Sequence, residues 1–368
     1  MKRRVSWART EAVVRRGVEA GWHRGFQLGV VFRGEPMGLC HGHSTDGAAM
    51  DGDTCCSWLS AGKPLTALLV GRAVQRGVLG WDQRIAGWIP GFGAGGKEEV
   101  TIRQVLTHTA GMRGADALLD AAEARDWAGA VARACEAPLE EGWVPGRTAG
   151  YHARGSWLVL AEVACRAMGG EFGCLVGKEV CGPLGVAGLR FDWTERGAAS
   201  AGRGWAGMEW TVEGARVGGA SGGEEGGRGA GWLDPGSGLR GSAREMAWMY
   251  SGLLGRTEGW IRGELLDAMT GPQRVGTFDL TFGAVVDFGL GFVLNTPARG
   301  GKPMPYGYGR HAGPRTFGHS GRQSACAFAD PDAGVAVAWS FNGMPGERVH
   351  QARQREVNEA VYEELGLG

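Results

Sequence analysis

Lysine is scarce in this 368-residue chain: Lys2, Lys63, Lys97, Lys178 and Lys302 are the whole set among 39 lysines and arginines. The 39 acidic residues cancel the basic ones, so there is no net charge to attract a nucleic acid or another charged polymer. No apolar run reaches membrane-spanning length, which argues against a membrane helix. At the amino terminus Met1-Lys2-Arg3-Arg4 is followed by Arg9, Thr10 and Glu11 in place of the apolar stretch of a secretory signal, so cytoplasmic residence is expected. Disulfide scaffolding is missing too. Cys40, Cys55, Cys56, Cys135, Cys165, Cys174, Cys181 and Cys326 form no Cys-x-x-Cys pair and read as small buried residues. Cys40-His41-Gly42-His43 stands without a second cluster, so neither a metal nor a cofactor is expected. The 69 glycines lack a triplet period, which excludes a collagen-like chain.

Against that background, residues 54–77 stand out. Ser60 and Lys63 lie three apart, where Pro64 and the spacing of Leu65, Leu68 and Leu69 predict the start of a helix. Residues i and i+3 share a helix face, so the amine would lie beside the hydroxyl. Arginine keeps its proton at any usable pH, whereas a desolvated lysine can lose it; the pair is a nucleophile next to a base. The helix N-terminus adds partial positive charge for an oxyanion formed on an attacked carbonyl. A competing Gly-x-Ser-x-Gly match, Gly219-Ala220-Ser221-Gly222-Gly223, is set aside because a nucleophile elbow needs a strand before it and none is expected there.

An amphipathic helix over residues 11–21 leads into a hairpin of strands at 26–32 and 37–41. Thr101 and Gln104 form a capping box for a short helix reaching His108, and longer helices are expected over 115–134 and 156–168. Residues 194–238 are crowded with glycine and carry Trp205, Trp210 and Trp232. A loop of that length is either a lid over a binding site or a segment that its tryptophans anchor to the body. Strands return at 288–294, 316–319, 324–330 and 335–341, and an amphipathic helix over 349–365 follows. The expected class is α+β: an α/β/α sandwich whose central antiparallel sheet draws on both termini, 1–80 with 280–368, and a mainly helical region over 81–279, all in one domain.

Several landmarks occur in a telling order: Ser60-Ala61-Gly62-Lys63; Ile89-Pro90-Gly91-Phe92; Thr107-His108-Thr109-Ala110-Gly111-Met112; Pro145-Gly146 ahead of Tyr151; Pro183-Leu184-Gly185; and Gly318-His319-Ser320-Gly321. Together they resemble the serine β-lactamase and penicillin-binding-protein-like superfamily, most closely its class C β-lactamase, D-aminopeptidase and family VIII-type esterase branch. The resemblance implies Ser60 as the acylated nucleophile, Lys63 as its base and Tyr151 as the phenol of a Tyr-x-Asn motif that exchanges protons with Ser60 and the leaving group. It implies the backbone N–H groups of Ser60 and Arg322 as the oxyanion hole, and His319, Ser320 and Gly321 as one wall of the substrate cleft. His108 matches a structural position. His152 and the tryptophans of the 194–238 loop are further candidate substrate contacts. Phenol and amine, being neighbours, are expected to lower each other's pKa.

Two positions depart from the family pattern. Ala153 stands where the motif has asparagine and offers no side-chain hydrogen bond to a substrate amide. His319 replaces lysine and weakens a carboxylate anchor. Both point toward an esterase, amidase or acyltransferase that forms acyl-Ser60 from a small-molecule ester or amide. The acyl group would pass to water, an amine or an alcohol, in small-molecule metabolism that includes natural-product assembly. β-Lactamase or D-aminopeptidase activity, and a non-catalytic scaffold of the same fold, are the alternatives.

Overall fold

Six antiparallel strands form the main sheet, in the spatial order Glu35–Gly42, Gly25–Phe32, Val335–Phe341, Ala325–Asp330, Phe317–Gly321 and Val293–Leu294. This computed structural model describes residues 5–120, 126–212, 215–220, 233–255, 260–297 and 303–368. Alternation along the strands gives the sheet two different faces. Phe26, Leu28, Val30, Phe328, Val337 and Trp339 share a core with Val14 of helix Ala8–Glu19 and with Val357 and Val361 of helix Glu347–Glu364. On the other face Ala327, Ala329, Ala336 and Ala338 meet Met246, Met249 and Tyr250 of helix Ala243–Leu254. The small residues bring that helix close: a Cβ on Gly29 would stand 2.3 Å from the Ala243 carbonyl oxygen. The expected α/β/α sandwich drawn from both termini is present.

Helix Lys63–Gln75 leaves the sheet and enters the helical region beside Gly155–Met168. Within it only Arg72, Val74 and Gln75 escape burial, so the apolar face read from Leu65, Leu68 and Leu69 understates its position. A helix buried all round is the axis of a core, not its wall.

Elsewhere the structure corrects the reading. Residues 115–134 hold two helices, Ala115–Asp120 and Trp127–Glu136, and Asp126 caps the second by accepting from the Gly129 N–H at 2.8 Å. The 194–238 segment is not one long loop. It contains helix Glu195–Ser200 and an antiparallel pair, Met208–Val212 with Ala215–Ala220, whose first strand lies parallel to Gly343–Met344. A strand therefore does run up to Ser221; Ser221 itself, like Trp232, lies outside the described residues. Of the strand expected at 288–294 only Val293–Leu294 joins the sheet, because Gly291 takes φ +83° and Phe288 bridges back to Val293. All eight cysteines are free thiols, five of them buried and Cys174 exposed. Among the described residues no helix is long and apolar enough to cross a membrane.

The site is built where the strand Phe317–Gly321 meets the turn Leu59–Gly62 that opens the buried helix. Trp58 fixes that turn: its indole N–H donates to the Gly241 carbonyl and its backbone N–H to that of Leu239, each at 3.0 Å. Strand and turn touch through their backbones, since a Cβ on Gly321 would lie 2.4 Å from the Trp58 carbonyl oxygen. Gly321→Ala should therefore cost about 1–3 kcal/mol in denaturant unfolding. Gly52→Ala, where nothing lies within 4 Å of the added carbon, should stay within about 0.5 kcal/mol of the parent. Equal stability of the two variants would contradict the contact.

Candidate active site

Burial of the first turn of the helix decides the state of Lys63, which is fully buried. Its Nζ lies 2.6 Å from the Ala153 carbonyl oxygen, 2.8 Å from that of Gly236 and 3.1 Å from Ser60 Oγ. It also lies 5.2 Å from the Tyr151 ring centre and 5.4 Å from that of Trp157. Burial lowers the amine to a pKa of about 7, against the opposing pull of Asp234 and Asp116. In the neutral amine both N–H bonds can serve the two carbonyls, which leaves the lone pair for the Ser60 hydroxyl.

Each carbonyl is held by a carboxylate. Asp116 accepts from the backbone N–H groups of Ala153, Arg154 and Gly155, at 3.0, 2.9 and 2.7 Å, and so starts helix Gly155–Met168 in place of a local cap. Asp234, which is buried, accepts from Gly236 N–H at 2.8 Å and Ser237 N–H at 3.1 Å, and pairs with Arg154 at 2.7 Å. Thr66, one turn beyond Lys63, donates to the Pro235 carbonyl at 2.8 Å. A third carboxylate, Asp279, accepts from Tyr151 N–H at 3.1 Å and from Thr281 N–H at 2.9 Å, and is paired with buried Arg274 at 3.0 Å. Asp116, Asp234 and Asp279 went unnoticed in the sequence. Asp234-Pro235-Gly236 carried a turn signal, whereas Asp116 and Asp279 carried none.

Burial raises the pKa of the Tyr151 phenol and outweighs the lowering influence of the Ser60 hydroxyl, with which it shares the cleft. This corrects the expectation for the phenol: burial disfavours both charged forms, so the lysine's pKa falls to about 7 while the tyrosine's rises and it keeps its proton. Beneath Tyr151, His108 packs at 4.4 Å between ring centres. His152 is fully buried; its Nδ1 lies 3.2 Å from His108 Nδ1 and 3.1 Å from Ser156 Oγ. It points into the core and is not among the residues lining the cleft, so the expected substrate contact is withdrawn.

The cleft itself is a cavity of about 420 Å³ onto which Ser60, Tyr151, Ala153, His319, Ser320 and Arg322 open, with Phe282, Val286, Val293 and Tyr306 as its apolar lining. His319 Nδ1 donates to the Ser320 carbonyl at 2.9 Å, and burial, helped by Lys63, lowers its pKa to about 3, so the ring is neutral. Ser320 Oγ donates to the Tyr306 carbonyl at 3.3 Å. Trp205 and Trp210 do not line the cavity: their rings sit 5.2 Å from the Arg240 and the Arg322 guanidinium respectively. Backbone strain gathers here as well. Among the described residues five non-glycines have positive φ, and Leu59, His108, Tyr306 and Gln323 lie in or against this site, with Arg33 alone in a distant hairpin turn. Such conformations cost about 1–3 kcal/mol each and persist only where surroundings enforce them.

A family model described as Beta-lactamase matches residues 10–362. The chain belongs to the Beta-lactamase family. It is 32% identical over 136 residues to Esterase/beta-lactamase LipL of Mycobacterium tuberculosis, a match covering 35% of this chain and 29% of that protein. It is likewise 32% identical over 162 residues to Esterase EstB of Burkholderia gladioli, covering 39% of this chain and 40% of that one. Less than half the length of either curated relative is matched. A solved family VIII carboxylesterase superposes with a TM-score of 0.78 at 25% identity, covering 97% of both chains.

In this Beta-lactamase family member Lys63 could serve as a base toward Ser60 only in its neutral form. kcat/KM is therefore expected to rise with pH through an apparent pKa of about 7 and to level off above it. Lys63→Met and Lys63→Arg, both without a usable lone pair, should lower kcat/KM by roughly 10²- to 10⁴-fold. A profile that is flat from about pH 5 to 9, or full activity in Lys63→Arg, would contradict this role.

Proposed function

We propose that the protein is a serine acyl-transfer enzyme that forms an acyl-Ser60 intermediate from a small carboxylic ester or amide. The observation that carries the proposal is the buried Lys63 amine, oriented by two carbonyls toward a serine hydroxyl 3.1 Å away. In the first step the Ser60 proton moves to Lys63 Nζ as Oγ bonds to the substrate carbonyl carbon. The resulting oxyanion sits between the backbone N–H groups of Ser60 and Arg322, both of which border the cavity. As the carbon–oxygen or carbon–nitrogen bond breaks, the leaving group takes the Tyr151 proton, and Tyr151 is reprotonated through Ser60's former proton on Lys63. Water, an alcohol or an amine then attacks acyl-Ser60 by the reverse proton path.

Substrate chemistry follows from the walls. Phe282, Val286 and Val293 favour an apolar acyl chain, neutral His319 supplies no fixed cation, and Ala153 has no side-chain amide for an acylamino group. These features favour simple esters over β-lactams and D-amino-acid peptides. The names of the similar proteins, an esterase, an esterase/beta-lactamase and a carboxylesterase, support an ester substrate and do not by themselves separate it from a β-lactam.

Treatment with a fluorophosphonate should add one phosphonyl group, located on Ser60 by peptide mass spectrometry, and should abolish hydrolysis of p-nitrophenyl butyrate. Ser60→Ala should neither label nor hydrolyse. Labelling at Ser221 with Ser60 untouched would overturn the assignment, and a wild type inert to both reagents would favour the non-catalytic scaffold. Adding a primary amine during ester turnover and measuring amide against free acid separates transfer from hydrolysis.

A further inference from the structure

Arg353, on helix Glu347–Glu364, is 2% exposed and has no carboxylate partner among the described residues. Burial alone shifts its pKa, downward to about 9, which fits a cation with no anion nearby. One terminal nitrogen donates to the Gln323 carbonyl at 2.8 Å and to the Gly343 carbonyl at 2.6 Å. The other meets His23 Nδ1 at 2.9 Å, Nε reaches His350 Nδ1 at 3.4 Å, and the guanidinium carbon lies 4.0 Å from the centre of the Phe341 ring. An unpaired buried charge is expensive, and here its cost is offset by hydrogen bonds to two backbone carbonyls.

What Arg353 holds is the end of the cleft wall. Gln323 follows Arg322, has φ +50° and donates no ladder bond that would enforce that conformation; its side chain instead accepts from Gly346 N–H at 2.7 Å. Gly343 begins the short strand that carries Met208–Val212, and with it Trp210, whose ring stacks on Arg322. One guanidinium thus ties the turn after Gly321 to the strand supporting the neighbouring hairpin. We propose that Arg353 is a positioning residue that fixes the 321–324 turn, and through it the Arg322 N–H, in the geometry needed to receive the oxyanion. This rests on the acyl-transfer reading of the site. Arg353 touches neither substrate nor Ser60, and acts through the Gln323 and Gly343 carbonyls.

Lys97 supplies the control, since it is a second buried cation held by carbonyls, those of Ala94, Cys135 and Ala137, away from the cleft. Arg353→Met, Arg353→Lys and Lys97→Met are to be compared by p-nitrophenyl butyrate kinetics per active site, the sites counted by fluorophosphonate titration so that misfolded protein is excluded. Arg353→Met should lose roughly 10- to 100-fold in kcat with KM changed less than about 3-fold, because an oxyanion donor acts in the transition state. Arg353→Lys, which can still donate to both carbonyls, should recover at least about a third of the lost factor on a logarithmic scale. Lys97→Met should lower thermal stability and leave kcat per site within about 2-fold. Unchanged kcat per site in Arg353→Met, or equal losses in Arg353→Met and Lys97→Met, would overturn the positioning role and leave the serine mechanism standing. A wild type that neither hydrolyses the ester nor takes the label would overturn both.

Discussion

The site depends on one electrostatic constraint: an amine placed where water cannot reach it and given only two partners that accept. An ammonium ion has three hydrogens to satisfy, and around Lys63 the third direction ends on a hydroxyl that can itself donate. Lys97 marks the contrast. It too is shielded from solvent and its pKa is also lowered, but its third direction ends on another carbonyl, so all three hydrogens have acceptors. Burial by itself gives a strained cation. Burial next to Ser60 is what the proposed proton acceptor requires.

Keeping that arrangement requires segments far apart in the chain to meet within hydrogen-bond distance, and three carboxylates do the joining. Asp116 sets the Ala153 carbonyl, Asp234 sets that of Gly236, and Asp279 sets the backbone of Tyr151. Their hydrogen bonds go to backbone N–H groups and, for Asp234 and Asp279, also to Arg154 and Arg274; none is bonded to the lysine, and the pull of Asp234 and Asp116 on Lys63 is outweighed by burial. On the opposite side Gly321 lets the wall strand rest on the Trp58 carbonyl, and strained Leu59 turns Ser60 toward the cavity. The left-handed residues collect around the cleft because packing there leaves the backbone no relaxed alternative.

Much of this was legible in the sequence, for a physical reason. The sandwich follows from alternating strands at both ends, and Ser60 with Lys63 from helix geometry plus a composition that otherwise prefers arginine. Tyr151 and His319 needed the family pattern, because a tyrosine after Pro-Gly and a histidine on a strand look like packing residues. His152 was misplaced, since adjacency to Tyr151 in an extended segment sends its side chain to the opposite side, into the core with His108. The supporting aspartates and Arg353 were illegible for a different reason: their roles lie in backbone groups they hold, and backbone hydrogen bonds leave no residue signature. Local breaks such as Asp126 and Gly291 escaped because caps and positive φ interrupt patterns that are otherwise helical or extended.

With so few lysines in the chain, the state of the central one can be observed directly. Lysine labelled with carbon-13 at Cε would give a small set of resonances, and the signal missing from Lys63→Met identifies Lys63. Followed through a pH titration of the unreacted enzyme, that signal should shift with a midpoint of about 7. A midpoint close to the ordinary lysine value of about 10.4 would mean that the amine stays charged beside Ser60, and the account of this site would be wrong.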